Sequence, residues 1–103
     1  MPKCVVCLTT VAKRKDAERI ARHLVAGKFA ACVNVIPGIV SHYRWKGKVC
    51  RAAELLLVMK TAAFKAKQLE MQIQAIHPYD LPEFVVLPIV GGSPRYLKWI
   101  LES

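Results

Sequence analysis

Two β-rich segments, one on each side of Lys46-Gly47, constrain this chain more than any other feature. Between Phe29 and Trp45, the residues Val33, Val35, Ile36, Ile39, Val40, Tyr43 and Trp45 favour extended backbone, and the apolar run Leu55 to Met59 supplies a buried return strand. Lys46-Gly47 fits a hairpin turn, while Pro37-Gly38 marks a bulge or bend in the first strand. A strand of about fifteen residues rising roughly 3.3 Å each reaches near 50 Å. A domain of about 100 residues is only about 35 Å across. The hairpin therefore overhangs its own body, and its backbone donors and acceptors, with Tyr43 and Trp45, form an edge that invites strand pairing. Self-association is the simplest expectation. The alternative is that the Pro37-Gly38 bend folds the strand back over its own sheet.

The remaining elements follow from periodicity. Lys3 to Thr9 is a short, mostly apolar strand, expected inside a sheet because both of its faces are buried. Ala17, Ile20, Ala21, Leu24 and Val25 recur at steps of three and four, predicting a helix that Gly27 ends as a C-cap. Thr61 is expected to cap a second helix with the apolar stripe Ala62, Ala66, Leu69, Ile73 and Ile76, stopped by Pro78. Phe84 to Val90 makes another strand, Gly91-Gly92 a turn, and Pro94 the first position of a terminal helix carrying Tyr96, Leu97, Trp99 and Ile100. The order βαββαβ plus a terminal helix is the ferredoxin-like α+β arrangement, an antiparallel sheet with helices on one face and here a long central hairpin. With 54% hydrophobic residues and no repeat or linker, residues 1–103 are expected to form a single domain around one core.

Composition narrows the function classes. No stretch approaches the eighteen or so apolar residues of a spanning helix, so a membrane partner is not expected. Only five apolar residues, Cys4 to Leu8, precede Thr9-Thr10, too few for a secretory signal. Four cysteines in that context predict free thiols and a cytoplasmic location. Cys4 and Cys7 stand three apart on a strand, point to opposite faces and read as packed thiols, whereas Cys50 beside the turn is the thiol expected to be exposed. The net charge of +9 attracts anions and repels free cations wherever carboxylates or thiolates do not offset it. Nucleic acid is nevertheless not the expected partner, because the strand Glu54 to Lys60 carries none of the stacking aromatics of RNA-binding sheets. The basic runs Lys13-Arg14-Lys15 and Lys46 to Arg51 read as solvated surface. An acylphosphatase-like enzyme of this topology needs an anion-cradling loop with an arginine; Arg14 is available, but Thr9-Thr10-Val11-Ala12 is not glycine-rich. Ser41, His42 and Asp80 lie on unrelated elements, so no catalytic residue is assigned.

Specific residues add a resemblance. Ala30-Ala31-Cys32-Val33-Asn34, Pro37-Gly38, Ser41-x-Tyr43-x-Trp45-x-Gly47, Glu54-Leu55-x-Leu57, Lys60-Thr61, His77-Pro78-Tyr79-x-x-Pro82-Glu83 and Tyr96-Leu97-x-Trp99 together resemble the signature set of the CutA divalent-cation-tolerance family over nearly the whole chain. The resemblance implies a homotrimer with hairpins pairing between subunits, an architecture similar to the PII signalling proteins, and a link to tolerance of divalent cations, copper especially. It implies no reaction. The expected function is thus a trimeric binding or signalling protein responding to metal ion, with copper or another divalent cation as the cofactor it would meet. The alternative is a sensor of a small molecule or anion, or an acylphosphatase-like enzyme, at the same intersubunit cleft. Candidate metal ligands are His77, Glu83 and Cys32, and candidate cleft residues are Tyr43, Trp45, Lys60 and Tyr79, with the Lys60 ammonium placed to hold a small anionic ligand. His77 has a second reading as a helix-terminal imidazole bonded to carbonyls, and Cys32 as a core thiol. Where some relatives carry a copper-binding cysteine and a doubled histidine, this chain has Thr9 and Ile76, which leaves His77 and the nearby Cys7.

Overall fold

The computed structural model describes residues 2–103. Its elements run β1 (Cys4–Val11), α1 (Arg14–Ala26), β2 (Cys32–Trp45), β3 (Lys48–Ala62), a 3₁₀ turn (Ala63–Lys65), α2 (Ala66–Ile76), β4 (Val85–Pro88) and α3 (Pro94–Glu102). The strands form one four-stranded antiparallel sheet in the order β2-β3-β1-β4. This is the ferredoxin-like α+β order expected from the sequence, with the long hairpin β2–β3 midway along the chain and at one edge of the sheet, and α3 appended.

The period-two pattern of the strands sorts the two faces of the sheet. Val5, Cys7 and Val11 of β1 and Leu55, Leu57 and Met59 of β3 point to one side, where Ala17, Ile20 and Leu24 of α1 and Leu69 and Ile73 of α2 close over them as the main core. Arg19 ties the helices together by donating to the Ile76 carbonyl at 3.0 Å, one of the carbonyls that the end of α2 leaves open. On the other side, α3 covers the end of the sheet around Cys4, whose thiol donates to the Leu97 carbonyl at 3.6 Å, and buries Ile100. Ser93 caps α3 by accepting from the Tyr96 N–H, with Pro94 in the first turn. Beyond α3 this second face is open: Val6, Leu8, Leu56 and Val58 are half-buried, and Ile36 is exposed.

Several boundaries differ from the sequence reading. Thr61 does not cap α2; it lies in β3, buried, and its hydroxyl donates to the Phe29 carbonyl at 2.9 Å. Ala62 likewise belongs to the strand, and α2 starts only at Ala66. Gly27 follows α1 as expected, but it is Lys28 that takes the left-handed conformation, at φ 63°. Gly27 is required by space instead: a Cβ there would stand 2.6 Å from the Phe29 ring.

β1 pairs with β3 only from Leu55 to Ala62, so among the described residues the half from Lys48 to Glu54 has β2 as its sole strand neighbour. The hairpin thus continues past the sheet as a two-stranded arm. It ends in a tight turn with Lys46 and Gly47 both at positive φ. The molecule measures 44 × 25 × 23 Å, and the arm accounts for the elongation.

Candidate functional site

A cleft of about 860 Å³ opens where the arm leaves the sheet, between β2–β3 and the segment that connects α2 to β4. The β-bulge at Pro37-Gly38 makes it. Ile36 lies opposite Leu56 but Ile39 lies opposite Glu54, so two residues of β2 face the single residue Leu55. The extra residue inverts which side chains face which side, and Ser41, Tyr43 and Trp45 therefore share the face of Glu54. The connecting segment supplies the opposite wall with Tyr79, Asp80, Leu81, Pro82, Glu83 and Phe84, and Thr10 lines the cleft from β1.

Two residues fix that wall to the sheet. The Tyr79 N–H donates to His77 Nδ1 at 3.1 Å, which leaves the ring proton on Nε2, and Nε2 donates to the Thr10 carbonyl at 2.8 Å. Both imidazole nitrogens are thereby used, and the ring is buried with its centroid 4.7 Å from that of Tyr79. The Tyr79 hydroxyl in turn donates to Glu54 Oε2 at 2.6 Å, a short charge-assisted bond. Burial first, then the hydrogen bond and charge of Glu54, hold the Tyr79 phenol well above the usual range, so it keeps its proton. Glu54 itself is only 7% exposed.

Of the residues singled out in the sequence, Tyr43, Trp45, Tyr79 and Glu83 line the cleft. Lys60 does not. It lies six residues along β3 from Glu54, with Nζ 5.8 Å from the centre of the Tyr96 ring. Cys32 pairs with Lys60 at that same distant end, where its thiol donates to Asn34 Oδ1 at 3.7 Å. His77, Glu83 and Cys32 are therefore not brought together within one chain. Among the described residues no group of three or more His, Cys, Asp or Glu side chains is placed to hold a metal ion. Cys7 points into the core, where burial pushes its thiol up to about 11, and Cys4 points to the opposite face. Cys50 is half-buried rather than the open thiol expected. Arg14 stands on α1 in an exposed pair with Glu18 at 3.9 Å, away from the cleft.

Glu54 and Asp80 are the residues the sequence reading missed as site residues. A signal was available in the spacing of charges. Of the seven acidic residues, Asp16, Glu18 and Glu70 have basic partners three or four positions away on a helix, and the structure pairs them with Arg19, Arg14 and Lys67. Glu102 ends α3. The other three, Glu54, Asp80 and Glu83, all line the one cleft, and neither Lys nor Arg is among its lining residues.

Comparison with known proteins agrees with this architecture. The profile of the "CutA1 divalent ion tolerance protein" family matches residues 5–103. The "Divalent-cation tolerance protein CutA" of Thermus thermophilus is 45% identical over 98 residues, covering 95% of each chain. "Protein CutA, chloroplastic" of Arabidopsis thaliana is 43% identical over 99 residues, of which this chain spans 54% of the relative's length. The solved structure of the Thermus thermophilus protein superposes with a TM-score of 0.93 at 44% identity over 96% of both chains. That of the "PII-like protein CutA" of Nostoc sp. superposes with a TM-score of 0.89 at 38% identity, covering 95% of this chain and 94% of the other.

Proposed function

The chain belongs to the CutA1 divalent ion tolerance family, and from that premise we propose that it is a homotrimeric binding module of the divalent-cation response whose clefts at the arm bases seat a cation. The observation that carries this reading is the placement of Glu54, Asp80 and Glu83 in one cleft whose lining includes His42 but neither Lys nor Arg, on a chain of net charge +9. Elsewhere the excess of Lys and Arg repels cations, and a recess with low-dielectric walls concentrates the field of its own charges. The cleft is thus the place where a cation gains most.

In this reading a divalent ion, copper included, meets the carboxylates of Asp80 and Glu83 first, both on exposed residues. A neighbouring copy supplies further donors, since four ligands are usual for such ions and the single chain offers fewer. His77 serves as a positioning residue for Tyr79 rather than as a donor. Likeness to a structure named as PII-like supports a signalling role, and the relatives carry the names of tolerance proteins rather than enzymes. Trimerisation is supported by the arm and by β4, an outer strand on which Val85, Val86 and Leu87 are all exposed.

The test is calorimetric titration of copper(II) and zinc(II) into reduced protein and into Glu83→Gln. Saturable binding in the native protein, weakened about tenfold in the variant, is expected, equivalent to about 1.4 kcal/mol. Equal affinity in both proteins, or no binding to the native one, contradicts the reading.

A further inference from the structure

We propose that the cleft, besides the divalent ion of that reading, takes an organic ammonium ion of metabolite size; the inference rests on the reading of the cleft as a cation seat and adds a second class of occupant. Size is the first ground. Within the single chain the cleft holds about 860 Å³, inside the range of about 300–1,000 Å³ of small-molecule sites. A metal ion instead needs several donors converging at roughly 2.0–2.6 Å on a single point. The described residues offer no such convergence.

The chemistry of the walls is the second ground. Tyr43, Trp45, Tyr79 and Phe84 line the cleft, and an alkylammonium is attracted to the face of such rings by their quadrupole. At the hairpin turn the ammonium of Lys46 stands 5.9 Å from the centre of the ring of its chain neighbour Trp45, within the range of a cation–π contact. A partner that combines apolar substituents with a positive charge satisfies aromatic and acidic surface together, which a strongly hydrated metal ion does not.

The third ground is the unmatched charge of Glu54. Glu54 is 7% exposed as a residue, and its carboxylate has no basic partner among the described residues. The Tyr79 hydroxyl reaches Oε2, and no donor among the described residues reaches Oε1. A buried carboxylate is stabilised by a cation and a full set of donors. An N–H-bearing or methylated ammonium entering from the cleft supplies the missing charge, with Asp80 beside the mouth. The absence of Lys and Arg from the lining disfavours an anionic occupant by the same reasoning.

The experiment uses the native, assembled protein and two probes of matched shape: choline, and its neutral carbon isostere 3,3-dimethylbutan-1-ol. Binding is followed by calorimetry and by the indole N–H resonance of Trp45. Choline is expected to bind saturably, and the isostere at least about tenfold more weakly. Glu54→Gln, which keeps an acceptor for the Tyr79 hydroxyl while removing the charge, is expected to weaken choline about tenfold. Asp80→Asn, on the exposed connecting segment, is the second variant and weakens it in the same direction if Glu54→Gln shifts the unfolding midpoint. Equal binding of choline and isostere overturns the inference, because the cleft is then merely apolar. Absence of choline binding also overturns it, including the case in which a Lys or Arg of a neighbouring copy fills the cleft. Copper or zinc binding without choline binding overturns the inference and leaves the cation-seat reading standing, whereas failure of metals and choline alike removes both.

Discussion

The Tyr79 hydroxyl donates to the carboxylate of Glu54, a residue only 7% exposed, so its removal leaves that carboxylate without the donor. Tyr79→Phe is therefore expected to destabilise the fold by about 1–3 kcal/mol, the penalty of an unsatisfied buried acceptor, read as a lower urea midpoint. An unchanged midpoint would show that water already serves Glu54 through the cleft. At this scale the sequence was only partly legible. Tyr43, Trp45, Tyr79 and Glu83 line one cleft within the chain, because strand alternation and the stop at Pro78 are local properties. The imidazole of His77 serves hydrogen bonding, the second of its two readings. Its partner, the Thr10 carbonyl, lies 67 positions away at the end of β1, and no local pattern announces that pairing. Family resemblance put Lys60 near an intersubunit cleft, and Cys32 was a candidate metal ligand; within one chain the pairing register puts both at the end of the sheet away from Glu54.

Among the elements, the arm depends on two short backbone devices. Gly38 has φ 81°, and a Cβ added there would meet nothing within 4 Å, so Gly38→Ala isolates the strain of a left-handed residue from any steric clash. It is expected to lower stability by about 1–2 kcal/mol. At the tip, Lys46 also holds a positive φ, of 50°, where Asn is better suited; Lys46→Asn is expected to raise stability by up to about 1 kcal/mol. Opposite shifts of the two variants in thermal unfolding check the assignment, and equal shifts contradict it. Both devices were readable in advance, because Pro and Gly punctuate a chain through their own dihedral limits. The length of β3 was not. Lys48 to Glu54 and Lys60 to Ala62 are held extended by ladder bonds to β2 and β1, and that tertiary pairing overrides the capping tendency of Thr61.

For the molecule as a whole, the arm and the open second face pose one problem. Among the described residues, half of β3 has a strand neighbour on one side only, β4 offers an exposed apolar edge, and Val6, Leu8, Leu56 and Val58 are incompletely covered. A monomer leaves these surfaces to water, whereas closed symmetric assembly pairs the strands and covers the face. The overhang was legible from residue counts alone, since strand rise and domain size are nearly fixed quantities. The cleft follows from it, because its inner wall is the base of that arm. Sedimentation of the reduced protein at micromolar concentration decides the matter: a single species of three times the 11.5 kDa chain mass is predicted, and a stable particle of 11.5 kDa would contradict it.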